Sequence, residues 1–162
     1  MSPGSRDPSA LMATAVDASV QHVESGGLPF VGVVITTDGW ISAPGVNLVR
    51  ETGDPSAHAE IVAMRQTIQE RGRDSLRDAT LLATGEPCAL CYRFAAGHQV
   101  GAVRYAVDRD TAAQWGFDYR AGYQHLGTDQ LALCRDSRHL PVAQGLRPFI
   151  TYLQHHVSAT TT

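Results

Sequence analysis

Two short stretches concentrate residue types able to hold a metal and move a proton: His58-Ala59-Glu60, and Pro87-Cys88-Ala89-Leu90-Cys91 with Cys88 30 residues after His58. Each alone is weak, since a lone CxxC also serves redox pairs or half of a structural zinc site, and a His-x-Glu arises by accident on helix surfaces. Together they supply one imidazole and two thiolates, which is three protein ligands for tetrahedral zinc with the fourth position left for water. That count belongs to catalytic rather than structural zinc sites. A structural site needs a fourth ligand, and the remaining cysteine, Cys134, sits in the apolar run Leu131-Ala132-Leu133-Cys134, where a thiol behaves as a small hydrophobe. Glu60, two residues beyond the ligand histidine, is the candidate acid and base.

The elements around these residues are arranged to position them. Residues 9–25 carry Leu11, Met12, Ala15, Val16, Ser19, Val20 and Val23 at helical spacing and predict a first helix with Ser9 as its cap, ending near Gly26-Gly27. Phe30 to Thr36 is a β-branched run closed by the turn signal Asp38-Gly39, and 40–46 reads as its hairpin partner. Asp54-Pro55-Ser56 predicts the start of a second helix running to Gly72, with His58 and Glu60 in its first turn. Ala79 to Thr84 and Val100 to Val107 predict buried strands flanking a helix over 88–97. That order makes the two strands parallel neighbours in an α/β/α sandwich. Both ligand groups thus open helices, where the dipole favours thiolates. Beyond Asp110 the pattern weakens to short helices over 111–115 and 122–126 and a C-terminal helix over 147–156.

Composition narrows the partners. The 162 residues predict one domain over 9–157, with a flexible leader over 1–8 and a disordered tail over 158–162. Lys plus Arg number 13 and Asp plus Glu 16, so the net charge of −3 offers no basic stripe for a phosphate backbone, and a small neutral ligand is expected instead of nucleic acid. An odd cysteine count argues against a disulfide framework. No signal peptide and no run near the roughly 18 apolar residues of a membrane span is visible, and a cytoplasmic protein is expected.

His-Ala-Glu followed by Pro-Cys-x-x-Cys resembles the zinc-dependent cytidine deaminase superfamily. Asn47, the segment Asp54 to Glu60, and Gly85-Glu86-Pro87-Cys88 resemble its branch of guanine deaminases and tRNA adenosine deaminases, and Ala112-Ala113-Gln114-Trp115-Gly116-Phe117-Asp118 resembles the guanine deaminases in particular. The resemblance implies a three-layer α/β/α sandwich around a mixed five-stranded sheet. It further implies one Zn2+ per chain on His58, Cys88 and Cys91, with Glu60 as the catalytic proton carrier, and a homodimer. The implied reaction is hydrolytic deamination of a free amino-substituted nucleobase or related heterocycle, a guanine-like aminopurine, aminopyrimidine or triazine, with release of ammonia. The alternatives are a tRNA-specific adenosine deaminase and a non-catalytic zinc-binding module.

For substrate contacts the resemblance places a base-reading carboxamide at Asn47, and the main chain at Ala59 and Cys88 offers free N–H groups at helix starts. Phe30 is placed to stack on a base or to join the core. Asp118 and Tyr119 are placed to meet the substrate, Tyr119 standing where guanine deaminases carry a second aspartate. Ala96-Gly97 replaces an aromatic of that pattern, Arg93 and Phe94 replace a small pair, and the tail offers His155 and His156 where a tyrosine is expected.

Overall fold

The structure is a computed structural model in which residues 7–160 are described, with side chains to residue 157. Helix α1 (Pro8–Glu24) leads to β1 (Val31–Ile35) and β2 (Gly45–Val46), then α2 (Val49–Thr52) and α3 (Ala59–Arg71). A 3-10 turn over Arg73–Leu76 precedes β3 (Thr80–Gly85), α4 (Ala89–Gly97), β4 (Ala102–Val107) and α5 (Arg109–Gln114). A second 3-10 turn over Arg120–His125 precedes α6 (Thr128–Arg135), β5 (Ser137–His139) and α7 (Arg147–Thr160).

The five strands form one mixed sheet in the order β2-β1-β3-β4-β5. β1 runs antiparallel to β2 and β3, while β3, β4 and β5 are mutually parallel. The parallel pairing of β3 with β4 is the one that the strand, helix, strand order predicts. Both faces are covered, which is why β1 and β3 read as unbroken apolar runs. Met12, Ala15 and Val16 of α1 pack with Val31, Val33, Leu82 and Ala106 on one face. Ile61, Met64, Cys91, Tyr92 and Ala95 of α3 and α4 pack with Val34, Leu81 and Val103 on the other.

Helix α1 begins one residue inside the expected leader, because Asp7 rather than Ser9 caps it: the Asp7 carboxylate accepts from the Ser9 amide, and Pro8 occupies the first turn, where its missing N–H costs nothing. The rest of the leader, residues 1–6, lies outside the described residues. At the other end α7 runs to Thr160, into the expected tail, and residues 161–162 lie outside the description.

The expected strand over 40–46 is shorter. Only Gly45–Val46 pairs regularly, with an isolated bridge between Ile35 and Ile41. Between them the Ser42 hydroxyl accepts from the Val34 amide and Pro44 has no N–H to give a ladder. The fifth strand that the resemblance implies is β5, which no pattern in the sequence places, as none places helix α6; β5 is a three-residue, largely exposed edge strand with no apolar period.

Candidate active site

The segment Asp54-Pro55-Ser56 does not begin α3 but forms a turn ahead of it. The Asp54 carboxylate accepts from the amide and hydroxyl of Ser56, and Arg65, two turns into α3, donates to the Asp54 carboxylate and the Ser56 hydroxyl. His58 is left extended as the N-cap of α3, and Cys88 is likewise the extended N-cap of α4. Two helix N-termini therefore converge on one point, each with unsatisfied main-chain N–H groups and a partial positive charge.

At that point the His58 Nδ1 atom lies 3.3 Å from Cys88 Sγ and 3.6 Å from Cys91 Sγ, and the two sulfurs are 3.6 Å apart. Zinc–sulfur and zinc–nitrogen bonds of ordinary length, arranged tetrahedrally, put such atoms about 3.6–3.8 Å apart. The triangle therefore fits one zinc ion, and its donors are the soft thiolates and imidazole that zinc prefers. The hydrogen bond from Cys91, followed by that from His58, pulls the Cys88 thiol down to about 4, while its bond to Cys88 and burial push Cys91 up. The Cys88 contact raises His58. These opposed shifts are those of a cluster sharing too few protons among three ligand atoms, the state that a divalent cation relieves. Cys134 is on α6, partly buried against the core, and does not join the set.

Glu60 is 4% exposed, with one carboxylate oxygen 3.2 Å from Cys91 Sγ. Burial, then the charge of Cys88, pushes its carboxyl up to about 7. Its place is made by small residues on the sheet. A Cβ on Gly32 of β1 would lie 2.8 Å from Glu60 Cα, and one on Gly45 of β2 would lie 2.5 Å from the Ala59 carbonyl oxygen. Helix α3 can approach the sheet closely only because neither is present.

Above the ligands is a cavity of about 210 Å³ lined by Leu28, Phe30, Asn47, His58, Ala59, Glu60, Glu86, Cys88 and Tyr119. At about 30 Å³ per water this is the space of roughly seven waters, enough for one small heterocycle. Asn47 accepts from the Val49 amide through its carbonyl oxygen, so its NH2 group is the one left to face the cavity. Phe30 lines the cavity and at the same time packs into the core, with edge-on contacts to Phe117, Tyr119 and Phe149. Tyr119 forms a wall. Asp118 does not line the cavity, contrary to expectation; its carboxylate is turned outward to Arg120, which binds both of its oxygens.

Glu86 was read only as part of a motif, yet it is buried at 4% exposure and holds Arg109 through that residue's amide and guanidinium. The Arg109 guanidinium stacks 3.7 Å over the Tyr123 ring, Tyr123 donates to the Pro87 carbonyl, and Tyr119 donates to the Glu86 carbonyl. The segment carrying Cys88 is thus held at three points from α5 and the turn after it. The only hint in the sequence was a carboxylate between an apolar strand and Pro-Cys.

The sequence profile of the family described as cytidine and deoxycytidylate deaminase zinc-binding region matches residues 5–107. A guanine deaminase from Bacillus subtilis (strain 168) is 40% identical over 105 residues, 64% of this chain and 67% of that protein. A tRNA-specific adenosine deaminase from Agrobacterium fabrum is 39% identical over 61 residues, 38% of this chain and 40% of that protein. Among solved structures, that of a guanine deaminase from Bacillus subtilis superposes with a TM-score of 0.65 at 30% identity, covering 88% of this chain and 91% of that one.

Proposed function

This chain belongs to the cytidine and deoxycytidylate deaminase zinc-binding family, and from that premise we propose that its cavity hydrolytically deaminates a free amino-substituted nucleobase or a related heterocycle, such as a guanine-like aminopurine, an aminopyrimidine or a triazine. The observation that carries the reading is the buried Glu60 carboxylate beside a three-ligand set on the floor of a cavity sized for one such ring. Zinc, when bound by His58, Cys88 and Cys91, supplies Lewis-acid activation of water near neutral pH.

The chain's own residues do the rest. Glu60 takes a proton from the attacking water and delivers it to the adjacent ring nitrogen, then takes the remaining proton of the added hydroxyl and passes it to the departing amine. One water is consumed, a C–N bond becomes C=O, ammonia leaves, and nothing is oxidised. Phe30 and Tyr119 hold the ring flat, the Asn47 NH2 donates to an acceptor on its edge, and the Ala59 amide, first in its helix and without a helical acceptor, donates to another.

Support for a homodimer comes from α7, where Ile150, Leu153 and Val157, together with Leu146 just ahead of the helix, form an exposed apolar stripe at intervals of a helical turn. Free thiols at the centre of the site favour a reducing compartment, the cytoplasm. No helix among the described residues is long and apolar enough to cross a membrane.

The test is a panel of purine, pyrimidine and triazine amines monitored for ammonia release by zinc-loaded protein. Turnover of at least one supports the reading, and turnover of none contradicts it. A second reading, deamination of adenosine in tRNA, has support in the 39% identity over 61 residues shared with a tRNA-specific adenosine deaminase. The net charge of −3 opposes it. A salt-dependent tRNA shift with inosine formation, and no turnover of free bases, would favour it. A non-catalytic zinc module leaves Glu60 unexplained, since burying a carboxylate without a counter-ion costs stability.

A further inference from the structure

Each of the two ligands that cap helices, His58 and Cys88, follows a carboxylate held by an arginine. Asp54, ahead of His58, pairs with Arg65, and Glu86, ahead of Cys88, pairs with Arg109. Burial separates the two pairs. Arg65 and Asp54 are 45% and 44% exposed, so water screens them and the pair fixes little. Glu86 is 4% exposed and takes three N–H groups from Arg109: the main-chain amide at 2.8 Å on one oxygen, and Nε at 2.9 Å and Nη2 at 2.7 Å on the other. A buried carboxylate so bonded has one place to be. The main chain beside it is equally committed. The Glu86 amide donates to the Val107 carbonyl, and the Glu86 and Pro87 carbonyls accept from Tyr119 and Tyr123. Arg109 serves both sides of this arrangement, because its guanidinium also lies 3.7 Å over the Tyr123 ring. One residue thus grips Glu86 by its carboxylate and backs the tyrosine that grips Pro87. Cys91 has no need of such support, being fully buried within the first turn of α4. Cys88 stands at the cap, outside the turns of that helix, and its place 3.3 Å from His58 Nδ1 is set by the segment before it.

We propose that Arg109 is a positioning residue for the metal: through Glu86 and Tyr123 it fixes the Cys88 thiolate, and through that thiolate the geometry in which zinc is held. Arg109 is neither a ligand nor a wall of the cavity. Its part is to keep one sulfur within the roughly 0.2 Å that a metal–ligand bond tolerates. The inference rests on the zinc set of the proposed function and is read without turnover.

The experiment loads the parent, Arg109→Lys, Arg109→Gln, Tyr123→Phe and Arg65→Gln proteins with cobalt(II) and reads the thiolate–cobalt and ligand-field absorption bands. Zinc affinity is measured alongside by competition with a chromophoric chelator. In Arg109→Gln the zinc dissociation constant should rise about 10- to 100-fold, the usual loss when the group behind a ligand is removed. Arg109→Lys keeps a charge for Glu86, and so the fold, but loses the fork and the flat face; it should fall between parent and Arg109→Gln. Both Arg109 variants should shift the cobalt bands, which loss of stability alone does not move in fully loaded protein. Tyr123→Phe, which keeps the ring and loses the bond to Pro87, should shift them in the same direction. Arg65→Gln, at the exposed pair, should change zinc affinity less than about fivefold. Arg109 variants with the parent's cobalt spectrum and zinc affinity overturn the proposal, and so does an equal loss in Arg65→Gln. A parent protein that takes up neither cobalt nor zinc overturns this inference and the deaminase reading together. If metal binding follows the expected order but no base releases ammonia, the positioning role stands and the deaminase reading falls.

Discussion

The Tyr119 hydroxyl donates its hydrogen bond to the main-chain carbonyl of Glu86, two residues before the Cys88 ligand. Its donor is therefore committed to the protein, and what it offers a substrate is a ring face and oxygen lone pairs. Burial pushes this phenol above its ordinary range, so it stays protonated and keeps that bond. A guanine deaminase pattern with an acidic residue at this place would present a carboxylate instead; here the wall is neutral.

Tyr119→Phe keeps the ring and leaves the Glu86 carbonyl without its donor. Unfolding experiments should show a loss of about 1–2 kcal/mol. The Michaelis constant for the best substrate should rise only a few-fold, about the effect of one weakened contact, because the stacking wall remains. Unchanged stability would mean that the hydrogen bond is not made in solution.

Much of this arrangement was legible in the sequence. The zinc set and Glu60 announce themselves through residue type and spacing, because a metal tolerates few donor combinations and helix starts are marked by local chemistry. The sheet was legible where strands are buried on both faces, as in β1, β3 and β4. It was not legible at β5, an exposed edge whose register with β4 is fixed by long-range pairing. Glu86, Arg109 and Tyr123 escape notice for a related reason: Arg109 meets Glu86 across 23 residues and Tyr123 meets Pro87 across 36, which no local pattern encodes. Asp118 failed differently, since the nearby Arg120 outcompetes the cavity for its carboxylate.

Gly32 is required for the closeness of α3 to the sheet. In Gly32→Ala the new methyl would meet the Glu60 main chain at 2.8 Å, and backbone cannot swing aside as a side chain can. The expected cost is about 1–3 kcal/mol of stability, with the turnover number falling further than in variants of equal stability elsewhere. Melting temperature and ammonia release measured together check this.

The Glu86 carboxylate is buried while Arg109 is about one-third exposed, so the two halves of the pair are not equivalent. Arg109→Ala strands a buried charge and should destabilise by on the order of 3 kcal/mol. Glu86→Gln leaves only a solvent-reachable guanidinium and should cost less. Combining the two changes should recover part of the Arg109→Ala loss, measured by denaturant unfolding as a double-mutant cycle.

Asp108 caps α5, the helix that begins with Arg109, by accepting from the Thr111 amide at 2.7 Å. That hydrogen bond holds its carboxyl below the usual 3.8. A depressed carboxylate contributes stability that is present above its unfolded value and lost as pH falls through the folded one. Asp108→Ala should therefore cost about 1 kcal/mol at pH 7. The gap to the parent should shrink progressively once pH falls below about 4. A gap that stays constant to low pH would contradict the cap.

The most direct measurement is ammonia release by Glu60→Gln protein shown by metal analysis to hold one zinc per chain. Zinc content should match the parent, because Glu60 is not among the three ligands. Turnover should fall by about 10²- to 10⁴-fold, the loss expected when a general acid and base is removed. A zinc-loaded Glu60→Gln protein that works within a few-fold of the parent would show that the proton path runs elsewhere.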